Sequence, residues 1–217
     1  MAVLQTIVLA TRNQGKIREL CEPMARLGFE VIGLPEDYPE VEESGNTFEE
    51  NAIIKAHAAA ERLGIPAVAD DSGLEVDALD GAPGVYSSRY SEGWPGIAGE
   101  SEDDRNNRKL LDQLKDVPLE RRSARFRCCM AMVFPSSMKD VPSDIVVSGC
   151  WEGSIGMHLS GKNGFGYDPL FIDSESGHTG AELTREEKMA RSHRGKALRK
   201  LMEALEQKKL AEGLKRD

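Results

Sequence analysis

Near its start, the sequence places an apolar run, a polar loop and a helical pattern in direct succession. The apolar run covers residues 6–10, and the polar loop covers residues 11–16 and contains a glycine. Ile17, Leu20 and Met24 then recur at spacings of three and four residues, which is typical of one face of a helix. A strand that leads through a short loop into a helix is a building unit of α/β proteins. This succession restricts the fold class more than any other feature of the sequence.

Helical and strand-like patterns continue to alternate along the chain. The predicted helices cover residues 47–63, 105–114 and the stretch from 192 onward. Strand-like runs lie at residues 66–69, 124–134 and 144–150. The first of these runs leads into two adjacent aspartates, where we expect the strand to end. The alternation predicts an α/β fold with a mixed sheet. No break requires two independent domains, so we expect a single domain over residues 1–217, with a charged, frayed tail at 208–217.

The composition narrows the functional classes. Hydrophobic residues make up 40% of the chain and charged residues 30%, and no apolar run reaches the roughly 20 residues that a membrane span needs. A net charge of −9 argues against a nucleic-acid partner, which usually requires a basic surface. The four cysteines contain no C-x-x-C pair, which argues against a zinc site or a disulfide framework. Because no signal peptide is recognisable either, we expect a cytoplasmic protein with no membrane partner.

The loop between the first predicted strand and helix is the first candidate site. Its residues are Thr11, Arg12, Asn13, Gln14, Gly15 and Lys16. Such a loop points several backbone N–H groups at one spot, and this arrangement binds phosphate. Lys16 adds a positive charge, although the sequence has no Walker A motif. The alternative is an ordinary turn in which Asn13 and Gly15 serve backbone geometry.

Acidic residues form the second candidate site. Asp70 and Asp71 follow the predicted buried strand, and two adjacent carboxylates there need a compensating cation. Hard oxygen ligands suit Mg²⁺, so we expect a magnesium site. Glu43 lies in a loop beside Ser44 and Gly45, from which its carboxylate could reach the metal. The alternative for Glu43 is a solvated surface charge. Capping of a turn is the alternative, and it accounts for one aspartate better than for two.

A glycine-rich segment at residues 164–169 is the third candidate. Two glycines flank Phe165, and glycine lets the backbone approach a flat ligand closely. The ring of Phe165 or of Tyr167 could then stack on a nucleobase. The alternative is a tight turn whose aromatic rings fill the core.

The basic residues Lys188, His193 and Arg194 are the fourth candidate. On one continuous helix, Lys188 and His193 would point roughly 140° apart, at about 100° per residue. Thr184 and Glu187 fit a capping box, and Ser192 resembles a second helix N-cap. This pattern predicts a helix break between Lys188 and Ser192 that lets the basic side chains face one site. The alternative is a basic cluster on a helix surface.

Taken together, these segments resemble the inosine triphosphate pyrophosphatase family. Six motifs carry the resemblance, follow one another in family order and span nearly the whole chain. They are Val8-Leu9-Ala10-Thr11-x-Asn13-x-Gly15-Lys16, Thr47-Phe48-x-Glu50-Asn51-Ala52-x-x-Lys55-Ala56, Ala69-Asp70-Asp71-Ser72-Gly73-Leu74, residues 81–90 (GAPGVYSSRY), residues 164–171 (GFGYDPLF), and the set Ala181-Glu182-Leu183, Glu187-Lys188 and Ser192-His193-Arg194. One such motif would prove little, but six in order are specific.

The resemblance implies a fold and a set of residue roles. The implied fold is α/β, with a mixed, twisted central sheet, flanking helices and two lobes around a deep cleft, usually in a homodimer. The loop from Thr11 to Lys16 would hold the triphosphate, Glu43 and Asp71 would bind Mg²⁺, and Asp71 would also be the catalytic base. The residues implied to contact substrate are Ser72, Phe165, Gly166, Tyr167, Asp168, Lys188, His193 and Arg194. Those implied to support the catalytic end are Glu50, Lys55 and Asp70.

The function implied by the resemblance is hydrolysis of aberrant purine nucleoside triphosphates such as ITP, dITP and XTP. Water would attack the α-phosphorus and pyrophosphate would leave, with Mg²⁺, Lys16 and the loop amides offsetting the negative charge. Donors from Arg194, His193 or a backbone N–H would pair with a 6-oxo group and be left unpaired by adenine.

Two alternatives differ in substrate or in class. One is a septum-formation-type pyrophosphatase that acts on modified pyrimidine nucleotides, against which the motifs at 164–169 and 192–194 argue. The other is a non-catalytic nucleotide-binding regulator, which would need the phosphate loop but not the paired acids.

Overall fold

A computed structural model describes the chain at residues 5–26, 28–139 and 143–213. Within these ranges the strands are β1 (Gln5–Leu9), β2 (Phe29–Gly33), β3 (Ala67–Val76), β4 (Ser123–Val133), β5 (Ile145–Ile155) and β6 (Phe171–Asp173). The α-helices are α1 (Gln14–Arg26), α2 (Phe48–Leu63), α3 (Glu102–Gln113), α4 (Arg185–Arg191) and α5 (His193–Gly213). Short 3₁₀ helices cover Asp77–Leu79, Gly84–Arg89 and Leu119–Arg121. None of these helices combines the length and the apolar character that a membrane span requires.

The strands form one mixed sheet in the order β2-β1-β3-β4-β5-β6. β1 pairs in parallel with both β2 and β3, whereas β5 and β6 pair antiparallel. Parallel strands need crossover connections, and here α1 connects β1 to β2 and α2 connects β2 to β3, on the other side of β1. The α/β class and the mixed sheet expected from the sequence are confirmed.

By contrast, the expectation that a strand ends at the two aspartates is wrong. β3 continues through Asp70 and Asp71 to Val76, and Leu74 and Val76 of this continuation are fully buried. A strand can carry two buried acids in its middle when each has a cation, as is the case here. β5 likewise continues past Cys150, because residues beyond it join the core.

The capping predictions are confirmed. Thr47 with Glu50 and Thr184 with Glu187 each form a reciprocal capping box, at the starts of α2 and α4. The predicted helix break is also present: Ser192 is extended, with φ −66° and ψ 158°, between α4 and α5. Its hydroxyl accepts the N–H of Gly195 at 3.1 Å and so caps α5.

The chain divides into two compact units. The first consists of segments Met1–Asp71, Cys128–Ser148 and Lys196–Asp217, and the second of Ser72–Arg127 and Gly149–Gly195. Strands β3, β4 and β5 each contribute residues to both units. The single domain and the two lobes around a cleft stay predictions. So does the frayed tail, because α5 runs to Gly213 and residues 214–217 lie outside the described part of the chain.

Each unit has a core of its own. In the first unit, a fully buried alanine stripe of α2 packs on small residues of the sheet, which allows close helix–sheet packing. The stripe comprises Ala52, Ala56, Ala59 and Ala60. The second unit has an aromatic core in which Phe126, Trp151 and Phe171 contact one another with ring centroids 4.7–6.0 Å apart.

We expect Gly195→Ala to destabilise the protein by about 3 kcal/mol, because overpacking forces the backbone to shift. A Cβ at Gly195 would lie 1.8 Å from the carbonyl oxygen of Met189, so α5 could not start where it does. Urea unfolding measures the change. Gly33→Ala is the matched control, because a Cβ at Gly33 meets no atom within 4 Å. Equal stability of the two variants would contradict this account of the break.

Candidate active site

In the first unit, Lys55 joins two carboxylates from different parts of the chain. Its ammonium group donates to Glu43 Oε1 at 2.8 Å and to Asp71 Oδ1 at 2.6 Å. Lys55 lies on α2, Glu43 in the loop before that helix, and Asp71 within β3. The Lys55 side chain is 14% exposed and that of Asp71 is 9% exposed. The structure therefore brings together three residues that the sequence singled out.

Hydrogen bonds from the start of α2 hold the loop that carries Glu43. The Glu50 carboxylate accepts the N–H groups of Asn46 and Thr47, at 2.6 and 3.2 Å. Asn51 Oδ1 accepts the N–H of Gly45 at 2.8 Å. A Cβ on Gly45 would lie 2.6 Å from Glu50 Cβ, so this approach requires glycine. Glu50 thus acts by positioning a loop, and Asn51 is a partner that the sequence motif contained but did not explain.

Asp70 has a cation of its own. Lys16 forms an ion pair with Asp70 Oδ1 and also donates to the Asp70 carbonyl oxygen at 3.2 Å. The thiol of Cys128 donates to Asp70 Oδ2 at 3.0 Å, and the Asp70 side chain is completely buried. Consecutive strand residues point to opposite faces, so Asp70 and Asp71 cannot share a single counter-ion position. Each acid is instead paired with a different lysine.

Burial and charge oppose each other at this cluster. Burial raises the pKa of Asp71 above its ordinary value, and the positive charges of Lys55 and Lys16 offset only part of this rise. Burial by itself would lower the pKa of Lys55. The carboxylates of Asp71 and Glu43 have the larger combined effect, so the Lys55 pKa is raised above its ordinary value. Lys55 therefore keeps its proton, and the ionised Asp71 is a stronger base than an exposed aspartate.

The loop from Thr11 to Lys16 is partly closed by its own side chains. Thr11 Oγ1 accepts the Asn13 N–H, and Asn13 Oδ1 accepts the Lys16 N–H, both at 3.1 Å. The N–H groups of Gln14 and Gly15, in the first turn of α1, have no partner among the described residues. These two amides and the Lys16 ammonium are what the loop offers to an anion.

Arg12 contacts backbone carbonyl groups instead. Its guanidinium donates to the carbonyl oxygens of Glu36, at 3.0 Å, and of Tyr38. Arg12 thus ties the loop from Thr11 to Lys16 to the segment after β2, a role that its place in the motif did not predict.

In the second unit, Asp168 gathers the glycine-rich segment. Its Oδ2 accepts from the Lys188 ammonium at 2.6 Å and from the Phe165 N–H at 2.8 Å. The Lys188 ammonium also lies 4.8 Å from the centre of the Phe165 ring. Lys188 and Asp168 are both buried, which favours this tight pair.

The helix break brings the other basic residues to the same segment. The Arg194 guanidinium lies 5.7 Å from the Phe165 ring centre and donates to Ser72 Oγ at 2.8 Å. The buried His193 ring stacks on Phe126, with 4.7 Å between centroids and 14° between planes. Thus Lys188 and Arg194, which lie on separate helices, face one aromatic ring.

Tyr167 and Gly166 are fixed from outside the segment. The buried Tyr167 hydroxyl donates to the Ser87 carbonyl oxygen at 2.8 Å, and burial strongly raises the pKa of Tyr167. The N–H and C=O groups of Gly166 are bound by Asp103 and Asn107 of α3. Sequence reasoning missed these two residues, because a helix face of polar residues looks like a solvated surface.

Lysine–carboxylate pairs beside a strand–loop–helix lysine, in an α/β protein, form an arrangement that can bind an anionic ligand. A family model described as the Ham1 family matches residues 7–204. The chain belongs to the Ham1 family.

Relatives of this chain match it over nearly its full length and nearly theirs. The chain is 56% identical to the dITP/XTP pyrophosphatase of Nitratidesulfovibrio vulgaris, covering 91% of this chain and 94% of the relative. It is 49% identical to the dITP/XTP pyrophosphatase of Vibrio cholerae, covering 95% and 99%. A solved HAM1 protein from Coxiella burnetii aligns with a TM-score of 0.80 and 42% identity, covering 94% of this chain and all of that one.

We expect Lys55→Met to lower the free energy of unfolding by about 3 kcal/mol, because removing one partner leaves buried charge uncompensated. Without Lys55 the pKa of Asp71 in the folded protein rises further. A carboxyl group whose pKa is higher in the folded than in the unfolded protein lowers the free energy of unfolding as pH increases. The loss should therefore be larger at pH 7.5 than at pH 5. Urea unfolding at both pH values tests this.

Lys200→Met is the control for the lost cation. Lys200 is exposed and donates to a backbone group, the Ser148 carbonyl oxygen, at 2.7 Å. A Lys55→Met loss that does not change with pH, or that equals the Lys200→Met loss, would contradict the role given to Lys55.

Proposed function

We propose that this protein hydrolyses noncanonical purine nucleoside triphosphates, dITP, XTP and ITP, to the monophosphate and pyrophosphate. The observation that carries the proposal is the Lys55 bridge between Glu43 and Asp71, with Lys16 acting on Asp71 in the same unit. Membership of the Ham1 family and relatives named dITP/XTP pyrophosphatase support the same activity.

The residues at this cluster fit Mg²⁺. Asp71 Oδ2 is buried and has no hydrogen-bond partner among the described residues, so it has a free lone pair to offer. Among those residues no group of three or more His, Cys, Asp or Glu side chains could hold a metal. A site with Glu43 and Asp71 alone suits Mg²⁺, which is usually held by one or two carboxylates together with substrate phosphates. When bound, Mg²⁺ would supply charge neutralisation of the triphosphate.

The protein's own groups account for the proton and the charge. Asp71 takes a proton from the attacking water, a step that its raised pKa favours. The water oxygen bonds to the α-phosphorus, and the bond from this phosphorus to the bridging oxygen breaks, releasing pyrophosphate. Lys16 and the N–H groups of Gln14 and Gly15 hold the phosphate oxygens. Asp70 positions Lys16, and Lys55 keeps Glu43 and Asp71 in place.

The second unit supplies the residues for the purine base. The Phe165 ring provides a stacking surface beside two cations, Lys188 and Arg194. Arg194 and His193 are buried and can donate to an acceptor at position 6 of the base, and a base without that acceptor forgoes this hydrogen bond. Hypoxanthine and xanthine offer that acceptor, and adenine does not.

The two other functions considered from the sequence are not favoured. No feature of the site points to a modified pyrimidine, and the relatives above are named as enzymes for dITP and XTP. We also propose, on the family resemblance, a cytoplasmic enzyme that works as a homodimer. Cell fractionation and light scattering test these two points.

With Mg²⁺, dITP, XTP and ITP should each yield one pyrophosphate per nucleotide. We expect kcat/KM for dATP to be at least about 10³-fold lower, because a base without the acceptor loses a buried hydrogen bond. A coupled pyrophosphate assay over these nucleotides, dGTP and modified UTP measures the ranking. Higher activity on modified UTP would favour the pyrimidine enzyme, and nucleotide binding with no pyrophosphate would favour the regulator.

Asp71→Asn should keep the fold and nucleotide binding but lose about 10²- to 10⁴-fold in kcat, the usual contribution of a general base. Pyrophosphate release and nucleotide titration calorimetry measure the two properties. Asp112→Asn is the control, because the Asp112 side chain is exposed and forms a long, 3.8 Å ion pair with Lys115. Wild-type turnover by Asp71→Asn would remove Asp71 from the mechanism.

A further inference from the structure

Two residues of α3 hold both backbone hydrogen-bonding groups of Gly166. Asp103 Oδ2 accepts the Gly166 N–H at 2.8 Å, and Asn107 Nδ2 donates to the Gly166 carbonyl oxygen at 2.8 Å. Asp103 and Asn107 are four residues apart, and this spacing puts them on one face of the helix. Gly166 has φ +60° and no side chain, so only its backbone can be anchored.

The helix that supplies these anchors is itself fixed in the second unit. Asn106 Nδ2 donates to the Ser88 carbonyl oxygen at 2.9 Å, and Asn106 Oδ1 accepts the Ser91 N–H at 2.7 Å. Leu110 and Leu114 are completely buried in the aromatic core. Asp103 and Asn107 therefore project from a rigid element toward the glycine-rich segment.

The other hydrogen bonds that hold this segment come from residues to which we assign substrate contacts. The Phe165 N–H is bound by Asp168, and Asp168 is bound by Lys188. A substrate that engages Lys188 competes with these bonds. Asp103 and Asn107 have no assigned substrate contact, and both bind the backbone of Gly166. Their hydrogen bonds can therefore keep Phe165 in place while the substrate binds.

One atom of the Asn107 side chain lowers the stability of the protein, and this indicates why an asparagine is present. Its Oδ1 is buried and has no hydrogen-bond partner among the described residues. An unsatisfied buried acceptor lowers stability, and an apolar side chain of the same shape would avoid that loss. What the asparagine provides is the donor for Gly166.

We propose that Asp103 and Asn107 are positioning residues for recognition of the purine base. They hold the Gly166 backbone so that the Phe165 ring is in place before the nucleotide arrives. This inference rests on the proposed function, because it assumes that the segment from Phe165 to Asp168 contacts the base. It adds two residues that touch no substrate but determine affinity for it.

The test compares Asp103→Ala with Asp104→Ala. Both changes remove one acid from the exposed first turn of α3, but Asp104 hydrogen-bonds Ser101 and not Gly166. For Asp103→Ala we expect KM for dITP to rise about three- to tenfold with kcat nearly unchanged, the size expected for one lost solvent-exposed hydrogen bond of ordinary strength. Exchange of the Gly166 amide with solvent, followed by NMR, should become faster. Asp104→Ala should change neither quantity, and Asp103→Asn, whose amide oxygen can still accept, should restore KM toward wild type.

Asn107→Leu is a second test, and it distinguishes a positioning residue from a purely structural one. It removes the unsatisfied Oδ1, so thermal stability should be kept or increased while KM for dITP rises. Unchanged KM in both Asp103→Ala and Asn107→Leu, with wild type active on dITP, would overturn this inference and leave the proposed function intact. Absence of dITP and XTP hydrolysis by the wild type would overturn the proposed function and this inference with it.

Discussion

The ammonium group of Lys55 lets the buried Asp71 and the partly buried Glu43 lie against one cation. Two carboxylates at this separation would repel each other, and each would lose hydration. Lys55 donates to both, and the carboxylates in turn raise its pKa, so the charge that holds them together is secure. The capping box of α2 and the glycine at position 45 then determine where the lysine and the loop meet. Without this bridge, neither the proposed metal ligands nor the proposed base would have a defined position.

The pair of aspartates in β3 illustrates how one strand serves two purposes. Asp70 and Asp71 are adjacent in sequence, but strand geometry sends their side chains to opposite faces. The Asp70 side chain is fully buried between Lys16 and Cys128, and it holds Lys16 in place by an ion pair. Asp71 keeps one buried oxygen without a partner among the described residues, and this is the oxygen that can act on a ligand. Position in the strand, and not residue type, separates the acid proposed to position Lys16 from the acid proposed to be the base.

Local rules predicted much of the secondary structure and part of the site. Thr47, Thr184 and Ser192 were recognised as N-caps because capping depends on residues three positions apart. The break before Ser192 followed from the same rule, and it explains how Lys188 and Arg194 reach one ring. The roles of Arg12, Asp103 and Asn107 were not predicted, because each depends on a partner 24 or more residues away. The assignment of substrate and metal roles came from resemblance to a family, since no periodicity specifies a ligand.

The sequence by itself determined the α/β class, the caps, the helix break and the identity of the charged side chains, all of which depend on short-range patterns of residue type. Tertiary structure alone decided which charges pair. The path of β3 through its two acids, the separate lysines of Asp70 and Asp71, and the anchoring of Gly166 by α3 arise from contacts between distant segments. The physical reason is that burial gives a charge its energetic weight, and burial is a property of the folded chain and not of any local stretch.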